Sequence, residues 1–441
     1  MVATGEVVDR VREAGVVGAG GAGFPSHVKL GARVDTYIAN AAECEPLLYK
    51  DQELMKRHAA EVVEGLRIAM ASTGASRGVI AIKKKYETAT ARLREAAGSG
   101  IDFYLYDNFY PAGDEVIIVY DVTGRLIPAG GIPLDVGCAV NNVETLINVA
   151  RAMRGTPVTH TALTVAGAVH EPVSVVVPVG TSAREVLHLA GGPTVEHVAL
   201  LDGGAMMGSA LLDLSAPVTK RSGGYIVLAA DHKLIRRKTL SEEVNVHISR
   251  SACDQCSYCT ELCPRYLLGY AIEPHKVMRS VGFAGEREAG WAELGLQCCE
   301  CSVCDLYACP EDLPPKDMCV RSKKIWRALP TRPAPIPNRG KPHPMRDSRR
   351  VPIPRLVERL GLTEWNVPAP MTERTAHPTR VELRLSQHIG SPAVPVVSPG
   401  DSVRVGDVVG EIPEGKLGAR VHASIDGRVD RIDDKSIWLV S

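Results

Sequence analysis

The sequence predicts a multidomain chain that strings α/β and α+β units together, and three observations carry that expectation. Residues 1–154 alternate helical and strand patterns. Eight cysteines between Cys253 and Cys309 stand at ligand spacings. From residue 381 onward, short apolar runs are punctuated by the turn signals Pro399-Gly400, Gly406-Asp407 and Asp426-Gly427. By length alone, 441 residues suffice for about three domains.

In the first unit, Val7, Val8, Val11 and Ala14 recur at helical spacing among charged residues. This is a short amphipathic helix leading into a glycine run rather than a targeting peptide. Segment 53–73 (ELMKRHAAEVVEGLRIAMAST) reads as one helix. Segments 78–86 (GVIAIKKKY) and 101–108 (IDFYLYDN) read as strands, with a helix, ETATARLREAAGSG, between them. That alternation makes an α/β domain. A second unit covers 155–242: residues 161–192 alternate in short strands, then offer Thr181 as N-cap of a short helix ending at Gly191-Gly192, as in a small β-grasp module. The cysteine unit spans 243–327. Residues 328–380 open with a basic, proline-rich run (328–356) that cannot sustain regular helix, and read as a solvated linker or as a strap laid on another domain. Residues 381–441 resemble a barrel-sandwich hybrid of the lipoyl/biotinyl type. Its candidate lysine, Lys416, sits in EGKLGA without the flanking pattern for modification, so the unit is read as structural.

Lysine plus arginine equals aspartate plus glutamate, 51 each, which removes the electrostatic case for nucleic acid or an anionic membrane as partner. No apolar run approaches the roughly 20 residues of a membrane-spanning helix. The first residues lack the basic and apolar regions of a secretion signal. Clustered cysteines in such a chain point to metal in a reducing cytoplasm rather than to disulfides.

CDQCSYCTELCP places Cys253, Cys256, Cys259 and Cys263 as C-x2-C-x2-C-x3-C before Pro264, the spacing of bacterial ferredoxins. CCECSVCDLYACP repeats it with Cys298, Cys301, Cys304 and Cys309 before Pro310, its last gap one residue longer. Cys299 breaks the spacing and is set aside. In this pattern each loop wraps three corners of a cubane and the fourth cysteine reaches the other cluster. One [4Fe–4S] cluster is therefore assigned to Cys253, Cys256, Cys259 and Cys309, the other to Cys263, Cys298, Cys301 and Cys304. Two zinc sites are the competing reading, but a tetrahedral ion needs no such tripod. Cys44, Cys138 and Cys319 fall outside the pattern and read as plain buried thiols.

The run GAGGAGFPSHVKL (18–30) contains Gly18-x-Gly20-x-x-Gly23, the dinucleotide fingerprint, without its context. A helix precedes it instead of a strand, Pro25 follows at once, and the next apolar strand begins too soon for a crossover helix. What the run supplies is main-chain N–H groups free of side chains, beside the Lys29 cation, suited to a phosphate or a flat ring. Asn40, Glu43 and Glu45 lie close along the chain.

In order, GAGGAGFPSHVK, NAAECEP (40–46), YPAGDE (110–115) and NNVETL (141–146) resemble the FMN- and NADH-binding core of the flavoprotein subunit of respiratory complex I. A soluble-ligand-binding β-grasp (SLBB) unit follows, as in that family. With its cysteine unit and β-tail, the chain is similar to the C subunit of the Rnf electron-transport complex and to the PduS-type cobalamin reductases of propanediol-utilisation microcompartments. A barrel-sandwich unit at the end rather than the start is the order of the latter. The resemblance implies FMN over Gly18, Gly20, Lys29, Asn40, Glu43, Tyr110, Gly113, Asp114, Val140, Asn141, Asn142 and Thr145. It implies NADH stacked on the flavin near Phe24, Lys29, Glu45 and Glu115. Ala42 stands where the complex I family has an aspartate, and Asp114 replaces a glutamate.

An oxidoreductase is implied. A flavin takes a hydride from NADH, whereas a [4Fe–4S] cluster accepts electrons singly, so no catalytic acid or nucleophile is expected. The implied path runs from NADH to FMN, to two clusters, to a corrinoid such as cobalamin, free or held by a corrinoid adenosyltransferase. A microcompartment shell protein is a further implied partner. No Asp-x-His-x-x-Gly corrinoid motif occurs. Two other readings stay open: an Rnf C-like electron-input subunit of a membrane NADH:ferredoxin oxidoreductase, and a relay or scaffold module without NADH activity.

Overall fold

The computed structural model describes residues 4–283, 293–329 and 334–441. The remaining stretches of the expected N-terminal, cysteine and proline-rich units lie outside the described residues.

Apolar segments of the first unit pair into a parallel sheet. Its strands are β1 (Thr36–Ala41), β2 (Arg77–Lys83), β3 (Ile101–Tyr106) and, after the two-residue β4 (Phe109–Tyr110), β5 (Cys138–Asn142). The order is β3-β2-β1-β5, with Asn40 opposite Asn142. Both faces of β1 and β2 are covered, as a parallel sheet requires. The helices are α1 (Thr4–Glu13), α2 (Ser26–Leu30), α3 (Lys50–Arg57), α4 (Ala59–Thr73), α5 (Glu87–Ala97), α6 (Glu115–Thr123) and α7 (Val143–Met153). Tyr37, Ala39, Ile80 and Ile82 pack against α1, α4 and α7, while Ile38, Val79 and Ala81 face Ile117 and Ile118 of α6. Gly65 of α4 permits this packing, since a Cβ there would stand 2.0 Å from the Leu146 carbonyl. The single helix expected over 53–73 is two helices. His58, at φ −120 and ψ 29, breaks it, and its N–H closes α3 on the Leu54 carbonyl. Chain order reverses between β1 and β5, and a sheet of this kind opens a crevice at the carboxyl ends of those two strands.

The second unit comprises β6 (His160–Gly167), β7 (Val173–Pro178), α8 (Ala183–Leu189), β8 (Val198–Asp202), β9 (Ser209–Leu211) and β10 (Gly224–Ala229). Its order is β7-β6-β10-β8-β9, with β6 and β10 parallel and α8 packed on the sheet through Ala183, Val186 and Leu187. The N-cap of α8 is Ser182 rather than Thr181. Ser182 and Glu185 satisfy each other's main-chain N–H in a capping box, while the Thr181 hydroxyl donates back to the Pro178 carbonyl.

The cysteine loops lie among α9 (Lys233–Thr239), α10 (Glu242–Ala252), α11 (Tyr258–Glu261), α12 (Pro264–Leu267), α13 (Pro274–Phe283) and α14 (Pro315–Ala328). The described part of the proline-rich run is a strap, not a solvated linker. Its β11 (Val351–Pro352) pairs antiparallel with β4, and Arg346 bonds Asp121 at 2.6 Å. Regular helix does occur within it: α15 (Ile353–Leu360) tolerates Pro354 in its first turn, where no N–H bond is needed. The tail folds β12 (Arg380–Arg384), β13 (Val394–Pro395), β14 (Ser402–Val403), β15 (Val408–Glu411), β16 (Val421–His422), β17 (Gly427–Ile432) and β18 (Ser436–Val440) into sheets β12-β18-β17-β14 and β13-β15-β16. They enclose Leu383, Val409, Ile437 and Leu439. Lys416 sits exposed in the turn between β15 and β16.

Candidate functional site

At the carboxyl ends of β1 and β5 a cleft of about 290 Å³ is lined by Gly18, Gly20, Phe24, Lys29, Asn40, Glu43, Glu45, Gly113, Asp114, Glu115, Val140, Asn141 and Asn142. Two expected residues stand behind it. Thr145 accepts a bond from Ala19 N at 2.9 Å and so anchors the glycine loop. The Tyr110 hydroxyl donates to the Cys301 carbonyl at 2.8 Å. The cleft also takes Ala42, at the position where the complex I family has an aspartate, together with Ala22, Cys44, Asp51, Met207 and Cys301, which sequence reasoning did not place there.

The glycine run closes on itself through Gly18 N–Phe24 O (2.9 Å) and Gly23 N–Gly18 O (3.1 Å). Gly21 at φ +97 and Gly23 at φ +68 occupy the left-handed region that glycine adopts without strain. The N–H groups of Gly20, Gly21 and Ala22 have no partner among the described residues, which leaves donors at the loop tip. Lys29 of α2 donates to the Val140 carbonyl at 2.9 Å, stands 3.5 Å from Glu115 and lies 5.7 Å from the Phe24 ring centroid.

The amide side chains are oriented by the protein itself. Asn40 donates to the Gly113 carbonyl at 3.0 Å and accepts from Ala42 N. Asn141 donates to the Tyr37 hydroxyl at 3.0 Å. Asn142 N-caps α7 and donates to Asp51 at 2.6 Å. Behind Asp51, the buried Lys50 ammonium bonds Asp51 at 2.8 Å and Glu144 at 2.7 Å. Burial disfavours that charge, but the two carboxylates outweigh it and keep Lys50 protonated. Burial, then the Asp51 charge, lifts the Glu43 carboxyl above its usual range. Glu45, expected beside NADH, is already engaged: its two oxygens accept from Met206 N and Met207 N at 2.8 Å each. These come from the β8–β9 loop, where Gly204 (φ +110) leaves the room a Cβ would take from Glu45. Burial pushes the Glu45 carboxyl up to about 7 against those two bonds.

Both cysteine loops carry residues in the left-handed region, Gln255, Ser257, Glu300 and Ser302, with φ of 60, 66, 60 and 59. Such conformations persist only where surroundings impose them. Here they accompany bonds aimed at sulfur: Gln255 Nε2 to Cys253 Sγ (3.2 Å) and Glu300 N to Cys298 Sγ (3.3 Å). Leu313 N likewise donates to Cys309 Sγ at 3.3 Å. The fourth cysteines cross. Burial, then proximity to Cys309, Cys256 and Cys253, pushes the Cys259 thiol up to about 12. Cys263 is raised by burial and by the neighbouring Cys299 and Cys298. The longer last gap is absorbed by a π-helical turn over Cys304–Ala308, which adds one residue without displacing Cys309 from its extended exit. Cys138 and Cys319 are buried and Cys44 is half-buried. The two units lock at Asp114, which N-caps α6 through Val116 N and Ile117 N and pairs with Arg265 of α12 at 2.9 Å.

The Nuo51 FMN-binding domain family matches residues 11–151, the SLBB domain 163–210, the 4Fe-4S dicluster domain 252–314 and the RnfC barrel sandwich hybrid domain 369–440. Cobalamin reductase PduS of Citrobacter freundii is 44% identical over 437 residues, 98% of this chain and 96% of that protein. The chain belongs to the PduS cobalamin reductase family. PduS of Salmonella typhimurium is 44% identical over 99% of this chain and 96% of its own length. The C subunit of the proton-translocating ferredoxin:NAD(+) oxidoreductase complex of Clostridium ljungdahlii is 35% identical over 59% of this chain and 56% of its own length. In this member of the PduS family, the cleft lies in the FMN-binding domain and the left-handed loops in the dicluster domain. Unpaired loop-tip donors fit a phosphate, and loops that aim N–H groups at their cysteines fit [4Fe–4S] clusters.

Proposed function

We propose that the chain is an NADH-dependent flavo-iron–sulfur reductase that delivers electrons to a corrinoid, with FMN over the residues the complex I resemblance implies, ten of them lining the cleft and Tyr110 and Thr145 supporting it from behind. One observation carries this reading: Cys301 of the second cysteine loop lines the same cleft as the glycine run. A hydride-accepting site and a one-electron carrier then share a wall.

Bound FMN supplies the exchange between two-electron and one-electron chemistry. The chain's own residues position the reactants. Loop-tip N–H groups and Lys29 favour an anionic group. Asn40, Asn141 and Asn142 hold their amides in fixed orientations. Phe24 offers a ring face for stacking, and Glu115, 43% exposed at its side chain, can accept bonds from hydroxyls or a carboxamide. Glu45, bonded to Met206 and Met207, ties the cleft wall to the β-grasp unit. No acid, base or nucleophile is required.

The corrinoid comes from the full-length likeness to cobalamin reductases, which the Rnf-type relatives do not match in extent. Among the described residues no helix is long and apolar enough to cross a membrane. The domain limits at 154, 242, 327 and 380, presentation of the corrinoid by an adenosyltransferase, and residence beside a microcompartment shell belong to the same proposal. The test is anaerobic stopped-flow with FMN- and iron-reconstituted protein. NADH should bleach the flavin and cluster absorbance, and added aquocobalamin should then shift to its reduced spectrum. A flavin that stays oxidised under NADH returns the chain to the relay reading. In the same assay Phe24→Ala should raise the KM for NADH about 10-fold, the loss of one stacking contact of roughly 1.4 kcal/mol, while FMN retention on gel filtration stays unchanged.

A further inference from the structure

We infer that the two clusters are ordered: electrons enter through the one held by Cys263, Cys298, Cys301 and Cys304 and leave through the one held by Cys253, Cys256, Cys259 and Cys309. This deepens the reading above and rests on it for the identity of donor and acceptor. Three independent observations set the order.

The first is contact with the cleft. Cys301 lines it, and its carbonyl accepts from Tyr110. Cys263 and Cys298 pack with Cys44, Ala112, Val116 and Ile117 of the flavin core. The second is the packing of the other set. Cys309 and Cys253 sit among Val277, Met278, Leu313 and Met318, all of the cysteine unit, and Cys298 joins the two groups. The third is exposure. Cys263, Cys301 and Cys304 are each 7% exposed and only Cys298 of that set is half-buried, whereas in the other set Cys253 and Cys256 are both half-buried beside Cys259 and Cys309 at 8%, and Tyr258, between Cys256 and Cys259, is 53% exposed. Tunnelling falls steeply with distance. The set against the cleft is therefore the one reached first, and the set facing solvent is the one a partner can approach.

Electrons balance along this path. NADH becomes NAD⁺ by giving up a hydride, which amounts to two electrons and a proton released to solvent. The two electrons pass one after the other across the same pair of clusters. Each reduces one Co(III) corrinoid to Co(II), so one NADH serves two corrinoids.

The order is read by freeze-quench electron paramagnetic resonance on the reconstituted full chain, with NADH as donor and a dysprosium chelate as a surface relaxation probe. In the wild type, the cluster signal that develops first should be the one the chelate leaves unchanged, and the later signal the one it broadens. In Cys256→Ser the first signal should develop at the wild-type rate while reduction of added aquocobalamin is lost. The wild-type comparison stands even where that variant fails to assemble. A chelate-sensitive signal that develops first, or a Cys256→Ser protein that assembles the chelate-insensitive cluster and still reduces aquocobalamin at the wild-type rate, overturns the order. If NADH reduces nothing in the wild type, the functional reading falls instead. The order is then read by photoreducing bound FMN with EDTA and light, which feeds electrons into the same cleft, with the same two outcomes.

Discussion

Asp114 shows how much a single side chain does here. One oxygen caps α6 while the other pairs with Arg265, both side chains 13% exposed, so the flavin core and the cysteine unit are joined through one carboxylate. Asp114→Asn keeps a capping oxygen but turns an amide toward a buried guanidinium. It should cost about 3–5 kcal/mol, read as a lower urea midpoint. Glu45 makes a second prediction with a sign. Its carboxyl ionises near 7 when folded and near 4.5 when free. Between those values the folded chain holds a proton the unfolded chain has released, so stability falls as pH rises through that window, by about 3 kcal/mol. Glu45→Gln should flatten that part of the profile. The motif residues around the cleft were legible because they cluster in four short runs. Asp51, Met207 and Cys301 were not, because each arrives from a segment whose own pattern says nothing about the cleft.

Among the elements, helices and strands with clear periodicity could be read in advance, and the exceptions have local causes. His58 splits one expected helix where its backbone leaves helical geometry. The π-helical turn reconciles a ferredoxin-like motif with its extra residue, and spacing alone reports the excess without the remedy. The proline-rich run is ambiguous in sequence because composition describes only what it cannot be. Its grip depends on Asp121, whose side chain is 3% exposed and meets Arg346 at 2.6 Å and Arg350 at 3.7 Å. Arg346 also lies over the Tyr120 ring, and Arg350 over that of Phe109. Arg346→Ala leaves Asp121 with its weaker partner and should cost about 2–3 kcal/mol. Limited proteolysis should then cut first within the strap, while the β-grasp unit stays protected.

At the scale of the molecule, the order of the units was legible from their motifs, but not the way they meet. The glycine loop is held from outside by two other units: Arg221 Nε donates to the Gly21 carbonyl at 2.8 Å, and Ile389 N to the Gly23 carbonyl at 2.9 Å. Lys220 makes the same kind of joint nearby. Its ammonium, 4% exposed as a residue, donates to the carbonyls of Gly15 and Arg420 at 2.8 Å each, so the flavin core, the β-grasp unit and the tail converge on one cation. Main-chain carbonyls as partners leave no trace in a sequence, which is why this joint could not be foreseen. With no carboxylate beside it among the described residues, burial lowers Lys220 from 10.5 to about 7. Between those values the unfolded chain binds a proton the folded chain has given up, so this group makes stability rise with pH, opposite to Glu45, by about 5 kcal/mol. Lys220→Met keeps the length of the side chain and removes the titration. Urea midpoints taken from neutral to alkaline pH should climb in the wild type and climb less in the variant. Parallel profiles would mean that Lys220 keeps its proton in the fold and that the three units are pinned by a charge that never titrates.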